Sequence, residues 1–246
     1  FSGIYFEGSN FITLRNSQVW LSGSASILTG WNAYNTNFEL DGVEFLLHNS
    51  HIINGIFSYV DVPGQVTDMV IRRTTLTITN TANSIRGISI YSDPSSYTNA
   101  EVLDTQIDIA SSASDGGRTA IEQNSLGTVA YTNLTINMDA GFITGTAYGM
   151  NLIRGVARLN SVNLNVAATG DGPLYGIFAV TDAQVFVLDS KLLVQHFNMF
   201  QNAYGFYISN TLEHILRNVS VIVSANNSAY GLQLSEGTFL TTNLTV

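Results

Sequence analysis

The stretch AYGMNLI at residues 147–153 returns as LYGIFAV at 174–180, AYGFYIS at 203–209 and AYGLQLS at 229–235. In each copy a tyrosine precedes a glycine, and apolar residues recur at every second position after it. The four glycines are 27, 29 and 26 residues apart: Gly149, Gly176, Gly205 and Gly231. A repeat of this length is typical of solenoids and other stacked arrays.

Two positions of the repeat can be followed through the whole chain. Weaker copies of the glycine position lie upstream at Gly3, Gly30, Gly55, Gly87 and Ala120. A second position carries Asn, Asp or another residue between two alternating segments: Asn16, Gly42, Arg73, Asp104, Asn133, Ser161, Asp189, Asn218 and Asn243. Since Asn and Asp tolerate left-handed backbone and bond their own main chain, this position predicts a corner in each repeat.

Period-2 alternation predicts three short strands in each repeat. One strand follows the glycine, one precedes the corner residue and one follows it, and no hairpin signal separates them. The fold prediction is therefore all-β: a right-handed parallel β-helix solenoid of about nine coils of about 28 residues, with three strands per coil. The tyrosines before the glycines share the parity of inward residues, which predicts a stacked column of buried rings: Tyr148, Tyr175, Tyr204 and Tyr230.

The coil length and the Asn corners resemble those of right-handed parallel β-helix repeat proteins. These include the pectate-lyase-like superfamily, phage tailspikes and bacterial autotransporter passengers. The resemblance covers the whole chain in architecture and repeat pattern, without a family-specific catalytic motif, and it implies a fold that often hosts polysaccharide cleavage. We expect one β-helix domain over residues 1–246, either a segment of a longer chain or a module whose ends are covered by copies of itself, because neither end carries the polar cap that protects exposed sheet edges.

Composition excludes several classes of function. The 246 residues are 45% hydrophobic and 11% charged, which is enough apolar content for a large core. A net charge of −9, with Lys191 as the single lysine, gives no basic surface for nucleic acid. No apolar run reaches the length of a membrane span, so direct membrane insertion is not expected. Without cysteine, neither disulfides nor thiol chemistry is available.

No catalytic or metal-binding cluster stands out in the sequence. The acidic pairs, Gly-His-Gly and Arg-x-Lys motifs of polygalacturonase-like sites are missing, and outward columns do not stack three carboxylates. His214 falls on an inward position, where a core histidine bonded to backbone is expected rather than a metal ligand. The sequence predicts no catalytic residue, no metal site and no cofactor.

Aromatic residues at outward positions form the main candidate binding surface. They lie two or four residues after the repeated glycine, where they can stack sugar rings or be covered by another subunit. The predicted binding residues are Tyr5, Phe57, Tyr59, Tyr91, Phe178 and Tyr207.

Two further outward features are candidates for contact with partners. An apolar stripe on the second strand of the last three coils predicts self-association, or coverage by the segment QHFNMFQNA at 195–203. Its residues are Phe186, Leu188, Ile215 and Leu240. Long corners in the third and fourth coils predict a protruding pair of loops, with Asp61, Pro63, Asp93 and Pro94 at their tips.

These patterns favour a non-enzymatic extracellular or cell-surface protein, structural or adhesive, such as a fibre, passenger or surface-layer component. Its expected partners are copies of itself or another surface protein, and polysaccharide. The alternative is a carbohydrate-active β-helix: a polysaccharide lyase, a hydrolase or a phage tailspike.

Overall fold

A computed structural model describes residues 2–8, 11–24, 26–79, 84–112 and 116–246. Over these residues the chain forms twenty β-strands and no helix. All strand pairs are parallel. The strands wind into a β-solenoid of about 8 turns of about 28 residues, which confirms the predicted fold class.

Each turn contributes one strand to each of three faces. The strands are β1 (Ser2–Glu7), β2 (Ile12–Arg15), β3 (Gln18–Ser22), β4 (Ile27–Tyr34), β5 (Phe38–Asp41), β6 (Glu44–His48), β7 (Ile52–Val60), β8 (Val66–Arg72), β9 (Thr75–Thr79), β10 (Ser84–Ser92), β11 (Tyr97–Leu103), β12 (Gln106–Ala110), β13 (Arg118–Thr132), β14 (Thr135–Ile143), β15 (Ala147–Asn160), β16 (Asn163–Gly170), β17 (Leu174–Leu188), β18 (Lys191–His196), β19 (Asn202–Ala225) and β20 (Ser228–Thr245). Face A contains β1, β4, β7 and β10 and the first parts of β13, β15, β17, β19 and β20. Face B contains β2, β5, β8 and β11 and the later parts of the same five long strands. Face C contains β3, β6, β9, β12, β14, β16 and β18 and the ends of β19 and β20.

The corner between faces B and C is built as the sequence predicts. All nine corner residues have positive φ, between 46° at Asn16 and Asp104 and 63° at Gly42. Arg73 and Ser161 adopt this conformation too, at 49° and 56°. We number the coils one to nine by these corners, which delimit eight full turns among the described residues.

The interior of the solenoid contains one continuous cluster of apolar side chains. Inward side chains of the three faces are almost fully buried, for example Phe38, Phe45, Ile56 and Phe206 at 0% exposure. This burial supplies most of the stabilisation, at about 25 cal/mol for each Å² of apolar surface removed from water. The outer surface is left free to make contacts with other molecules.

Glycine recurs on face A because the neighbouring coil approaches it closely. A Cβ built on Gly176 would lie 2.6 Å from the carbonyl oxygen of Gly205 and 2.8 Å from Cγ2 of Val194. A Cβ on Gly205 would lie 2.5 Å from the carbonyl oxygen of Gly231. The repeated glycine therefore marks a main-chain contact between coils rather than a turn.

The tyrosines before the glycines stack as predicted, but on the outside of the solenoid. In coil six Gly149 and Met150 are both buried, so the alternation of the strand breaks there and Tyr148 faces outward. The same pair of buried residues recurs in coils seven and eight. The prediction that these rings are buried was wrong, because the parity was counted across this break.

Candidate functional site

Face A carries the predicted binding residues as two separate aromatic patches. Tyr5, Phe57, Tyr59 and Tyr91 lie on coils one, three and four, and Phe178 and Tyr207 lie on coils seven and eight. Between the two patches the column two residues after the glycine carries Ser89, Glu122 and Asn151, on coils four to six. The structure therefore brings the six residues to one face but not to one patch.

The N-terminal aromatic patch consists of Tyr5, Tyr34, Phe57, Tyr59 and Tyr91. Tyr34 is at its centre, with ring centroids 5.9 Å from Tyr5, 5.9 Å from Phe57 and 5.7 Å from Tyr59. The rings are tilted by 46°, 46° and 77°, and Tyr5 is 51% exposed. Tilted, half-buried rings leave parts of their faces open for contact with a ligand. Tyr34 was missed, although it lies four residues after Gly30, as Tyr59 does after Gly55.

The C-terminal aromatic patch combines a tyrosine ladder with Phe178 and Tyr207. The ladder consists of Tyr148, Tyr175, Tyr204 and Tyr230. Its centroid distances of 5.4, 4.7 and 5.0 Å and interplanar angles of 16°, 10° and 9° describe offset stacking. Phe178 stacks on Tyr207 at 5.1 Å, and Tyr207 meets Tyr204 edge-on at 85°. Burial raises the pKa of Tyr175 to about 12, so its hydroxyl stays protonated as a hydrogen-bond donor.

The interval between the patches is polar and contains one ion pair and a second arginine, Arg154. Arg86 donates from Nε to Glu122 at 3.0 Å, and Tyr91 also hydrogen-bonds to this carboxylate. Arg154 donates to Asn124 Oδ1 at 2.6 Å and to the carbonyl of Ser92 at 2.9 Å. Burial raises the pKa of Tyr91, and nearby Glu122 raises it further. Glu122 is therefore paired with a cation, whereas Arg154 is bonded to neutral acceptors.

Among the described residues, four buried polar atoms on the outer side of face A have no hydrogen-bond partner: Asn32 Oδ1, Asn54 Oδ1, Ser89 Oγ and Asn151 Oδ1. They belong to the columns one residue before and two residues after the repeated glycine, next to the aromatic rings. An unsatisfied buried polar atom costs about 1–3 kcal/mol. A hydroxyl-bearing ligand on this face can bond them once their side chains turn outward, because the atoms have almost no accessible surface.

The two predicted loops lie side by side but are shorter than expected. They span residues 61–65 and 93–96, because β7 and β10 run further and β8 and β11 begin earlier than the sequence suggests. Gly64 donates to the carbonyl of Ser95 at 3.0 Å, which joins the loops. The Asp61 carboxylate accepts from Asn35 and the Asp93 carboxylate accepts from Ser95, so both stabilise turns. The exposed residues of the two loops include Asp61, Pro63 and Pro94.

The apolar stripe is in register on face B and open to solvent in the single chain. Phe186, Ile215 and Leu240 are paired on coils seven to nine, and Leu188 lies in the next column beside Arg217. Leu240 is 52% exposed and Leu188 is 36% exposed. Arg158 lies 4.7 Å from the centre of the Phe186 ring and covers part of it.

The segment at 195–203 does not cover the stripe. His196 Nε2 lies 2.8 Å from the carbonyl oxygen of Gly172, and Asn198 donates to Asp171 at 3.0 Å, which places the segment at the corner between faces C and A. Three of its own apolar side chains are strongly exposed: Phe197, Met199 and Phe200.

Face C contains a groove that the sequence analysis missed. Its volume is about 480 Å³, and its lining includes Asp108, Asn137, Asp139, Asn165 and Phe197. Asn137 donates to Asp108 at 2.9 Å, and Asp139 accepts from the main chain of Gly141 at 3.1 Å. These residues are ordinary outward polar residues in sequence, and only the register of coils four to six brings them together.

Asp41 and His214 on face B have structural partners. Asp41 accepts from Arg73 at 2.8 and 2.7 Å, and this bond holds its pKa below the usual range. His214 is buried, accepts from the main chain of Val185 at 3.2 Å and lies 2.9 Å from Asn210 Oδ1. Burial lowers the His214 pKa, which favours the neutral ring and confirms its interpretation as a core histidine.

Among the residues that the structure describes, no group of three or more His, Cys, Asp or Glu side chains is placed to hold a metal ion. No helix in this part of the chain is long and apolar enough to cross a membrane.

The class of this protein is defined by its fold, because the chain matches no protein-family model and shows no significant similarity to a curated protein or a solved structure. The protein is a parallel β-solenoid whose face A combines two aromatic patches with a polar interval.

Proposed function

We propose that this β-solenoid is a non-enzymatic structural or adhesive protein that binds polysaccharide along face A. The observation that carries the proposal is the pairing of two aromatic patches with buried acceptors that lack donors. Sugar rings have an apolar face that packs on aromatic rings and hydroxyls at their edges that hydrogen-bond. Face A offers both kinds of contact along eight turns, over about 40 Å. Binding polysaccharide as a surface, fibre or passenger component implies an extracellular or cell-surface location.

Removing aromatic rings from either patch is expected to weaken glycan binding. An aromatic contact is worth about 0.5–1.5 kcal/mol beyond its buried area, so Tyr59→Ala and Tyr207→Ala should each weaken binding about 3- to 10-fold. Affinity electrophoresis in gels that contain soluble β-glucan or galactomannan, followed by calorimetry, measures the change.

Trp20→Ala is the matched control, because Trp20 is 67% exposed but lies on face C. Circular dichroism of each variant verifies that the fold is intact. Equal retention of the wild type and both face A variants would contradict the proposal.

We further propose that the apolar stripe on face B mediates self-association. Exposed apolar patches on otherwise polar surfaces are typical of protein contacts, and Ile215 and Leu240 are adjacent in register. Replacing both with Asp is expected to convert an oligomer to a monomer in sedimentation-velocity runs. Thr13→Asp changes the same face B column on coil one, in register upstream of Glu39, and should leave the sedimentation unchanged. A wild-type chain that is monomeric at the same concentration would overturn this proposal.

The face C groove supports a second candidate, a polysaccharide hydrolase. Its lining includes two carboxylates from neighbouring coils, Asp108 and Asp139. Glycosidases commonly use two carboxylates, one as acid and one as base or nucleophile. Release of oligosaccharides that is lost in both Asp108→Asn and Asp139→Asn would assign this activity in place of binding alone.

A further inference from the structure

The tyrosine ladder of face A ends at a place where one ring is missing. Its column continues from Tyr148 to Thr119 on coil five and Arg86 on coil four. Neighbouring strands are about 4.8 Å apart, so Arg86 and Tyr148 are separated by about 10 Å. One face of Tyr148 is stacked on Tyr175 at 5.4 Å. The opposite face points toward Thr119, whose short side chain cannot cover it.

A pocket occupies this place in the column. Its volume is about 240 Å³, and its lining includes Arg86, Thr119, Glu122, Tyr148 and Asn151. Arg86 and Tyr148 both line it and lie on either side of Thr119 in the column. The pocket has the size of one sugar residue rather than of a long ligand, and it opens onto face A between the two aromatic patches.

The polar groups of the pocket indicate what it binds. Asn151 lines the pocket, and its Oδ1 atom is buried without a donor, so a ligand hydroxyl can bond it once the side chain turns toward the pocket. Glu122 is 13% exposed and already accepts from Arg86 at 3.0 Å, which neutralises the positive charge. Thr119 and Thr146 add hydroxyl groups to the lining. Among the described residues that line the pocket, the one cation, Arg86, is already paired, so an anionic sugar would meet the Glu122 carboxylate without a free cation.

We propose that this pocket, the missing-rung pocket, binds one neutral hexopyranose residue of the polysaccharide. The apolar face of the sugar stacks on Tyr148 in the place of the absent ring, and its hydroxyls bond Asn151 and Glu122. A flat aromatic ligand would stack equally well but would leave Asn151 Oδ1 without a donor. The inference rests on the proposed function of face A and adds the substrate class and the position of one subsite.

Filling the gap with a ring tests this inference. Thr119→Tyr extends the ladder by one rung, as the same column does on four other coils, and is expected to weaken binding about tenfold or more. Thr119→Ser keeps the pocket open and should bind within about twofold of the wild type. Calorimetry with cellohexaose, maltohexaose and mannohexaose as probes measures binding, and trigalacturonic acid is the acidic comparison. Asn151→Ala removes the acceptor without adding bulk and is expected to weaken binding of the same probe.

The outcomes separate this inference from the proposed function. If Thr119→Tyr and Asn151→Ala bind the hexasaccharides as well as Thr119→Ser does, the pocket is not a subsite, although face A remains a glycan-binding surface. If the wild type binds trigalacturonic acid but no neutral probe, the proposed class of sugar is wrong. Displacement of a bound hexasaccharide by adenosine or tyrosine would also overturn the sugar assignment. If the wild type binds no glycan in any assay, the proposed function itself fails.

Discussion

Replacing Trp31 with Ala is expected to destabilise the fold by about 3–5 kcal/mol, because large-to-small changes in a packed core leave a cavity. Trp31 is 1% exposed. Its ring lies between Phe6 and Phe38, with centroids 5.3 Å from each. In this variant Phe6 on coil one and Phe38 on coil two both lose the aromatic ring that packs between them. Urea denaturation followed by circular dichroism gives the change in the free energy of unfolding.

The chain contains its own control for this measurement, since its two tryptophans differ in burial. Trp20 is 67% exposed and donates to His48 Nε2 at 2.7 Å. Trp20→Ala should cost less than about 1 kcal/mol, the net contribution of one exposed hydrogen bond. Similar losses in the two variants would contradict the buried placement of Trp31.

Trp31→Phe separates packing from hydrogen bonding at the same site. The Trp31 Nε1 atom is buried without an acceptor. Phe keeps an aromatic ring between Phe6 and Phe38 and removes this unsatisfied donor, so it should be much less destabilising than Ala.

The corners and strands of this fold were predictable because each depends on local chemistry. A left-handed corner selects residues such as Asn16 and Asp104, and a strand with one buried face alternates with period 2. Even Arg73 and Ser161, whose residue types are uncommon in that conformation, are identified by the alternating segments on either side of them.

The surface of face A was less predictable because it depends on how the strand deviates from regular pleating. Gly149 and Met150 are both buried, so counting alternate residues across this pair reverses the side that Tyr148 faces. The missing-rung pocket depends on three residues from different coils, Arg86, Thr119 and Tyr148. The face C groove has the same origin, since Asp108 and Asn137 meet only through the pairing of β12 with β14.

The repeated glycine of face A makes a second strong prediction about stability. A Cβ on Gly55 would lie 2.4 Å from the carbonyl oxygen of Gly87 and 2.6 Å from Cδ2 of Leu76. The first atom belongs to the main chain of the next coil, and the second to a buried core side chain. Neither atom can move without separating coils three and four or disturbing the core. A side chain at position 55 therefore prevents coils three and four from packing at their present distance.

Gly55→Val is therefore expected to destabilise the protein by about 3 kcal/mol, at the upper end of the usual cost of overpacking. If only strand propensity mattered, Val would stabilise the strand relative to Gly. Gly117→Val is the matched control, because a Cβ there meets only the carbonyl oxygen of Thr146, at 3.4 Å. It should change the free energy of unfolding by less than about 1 kcal/mol. Equal stability of both variants and the wild type in urea would show that the glycines do not set the contact between coils.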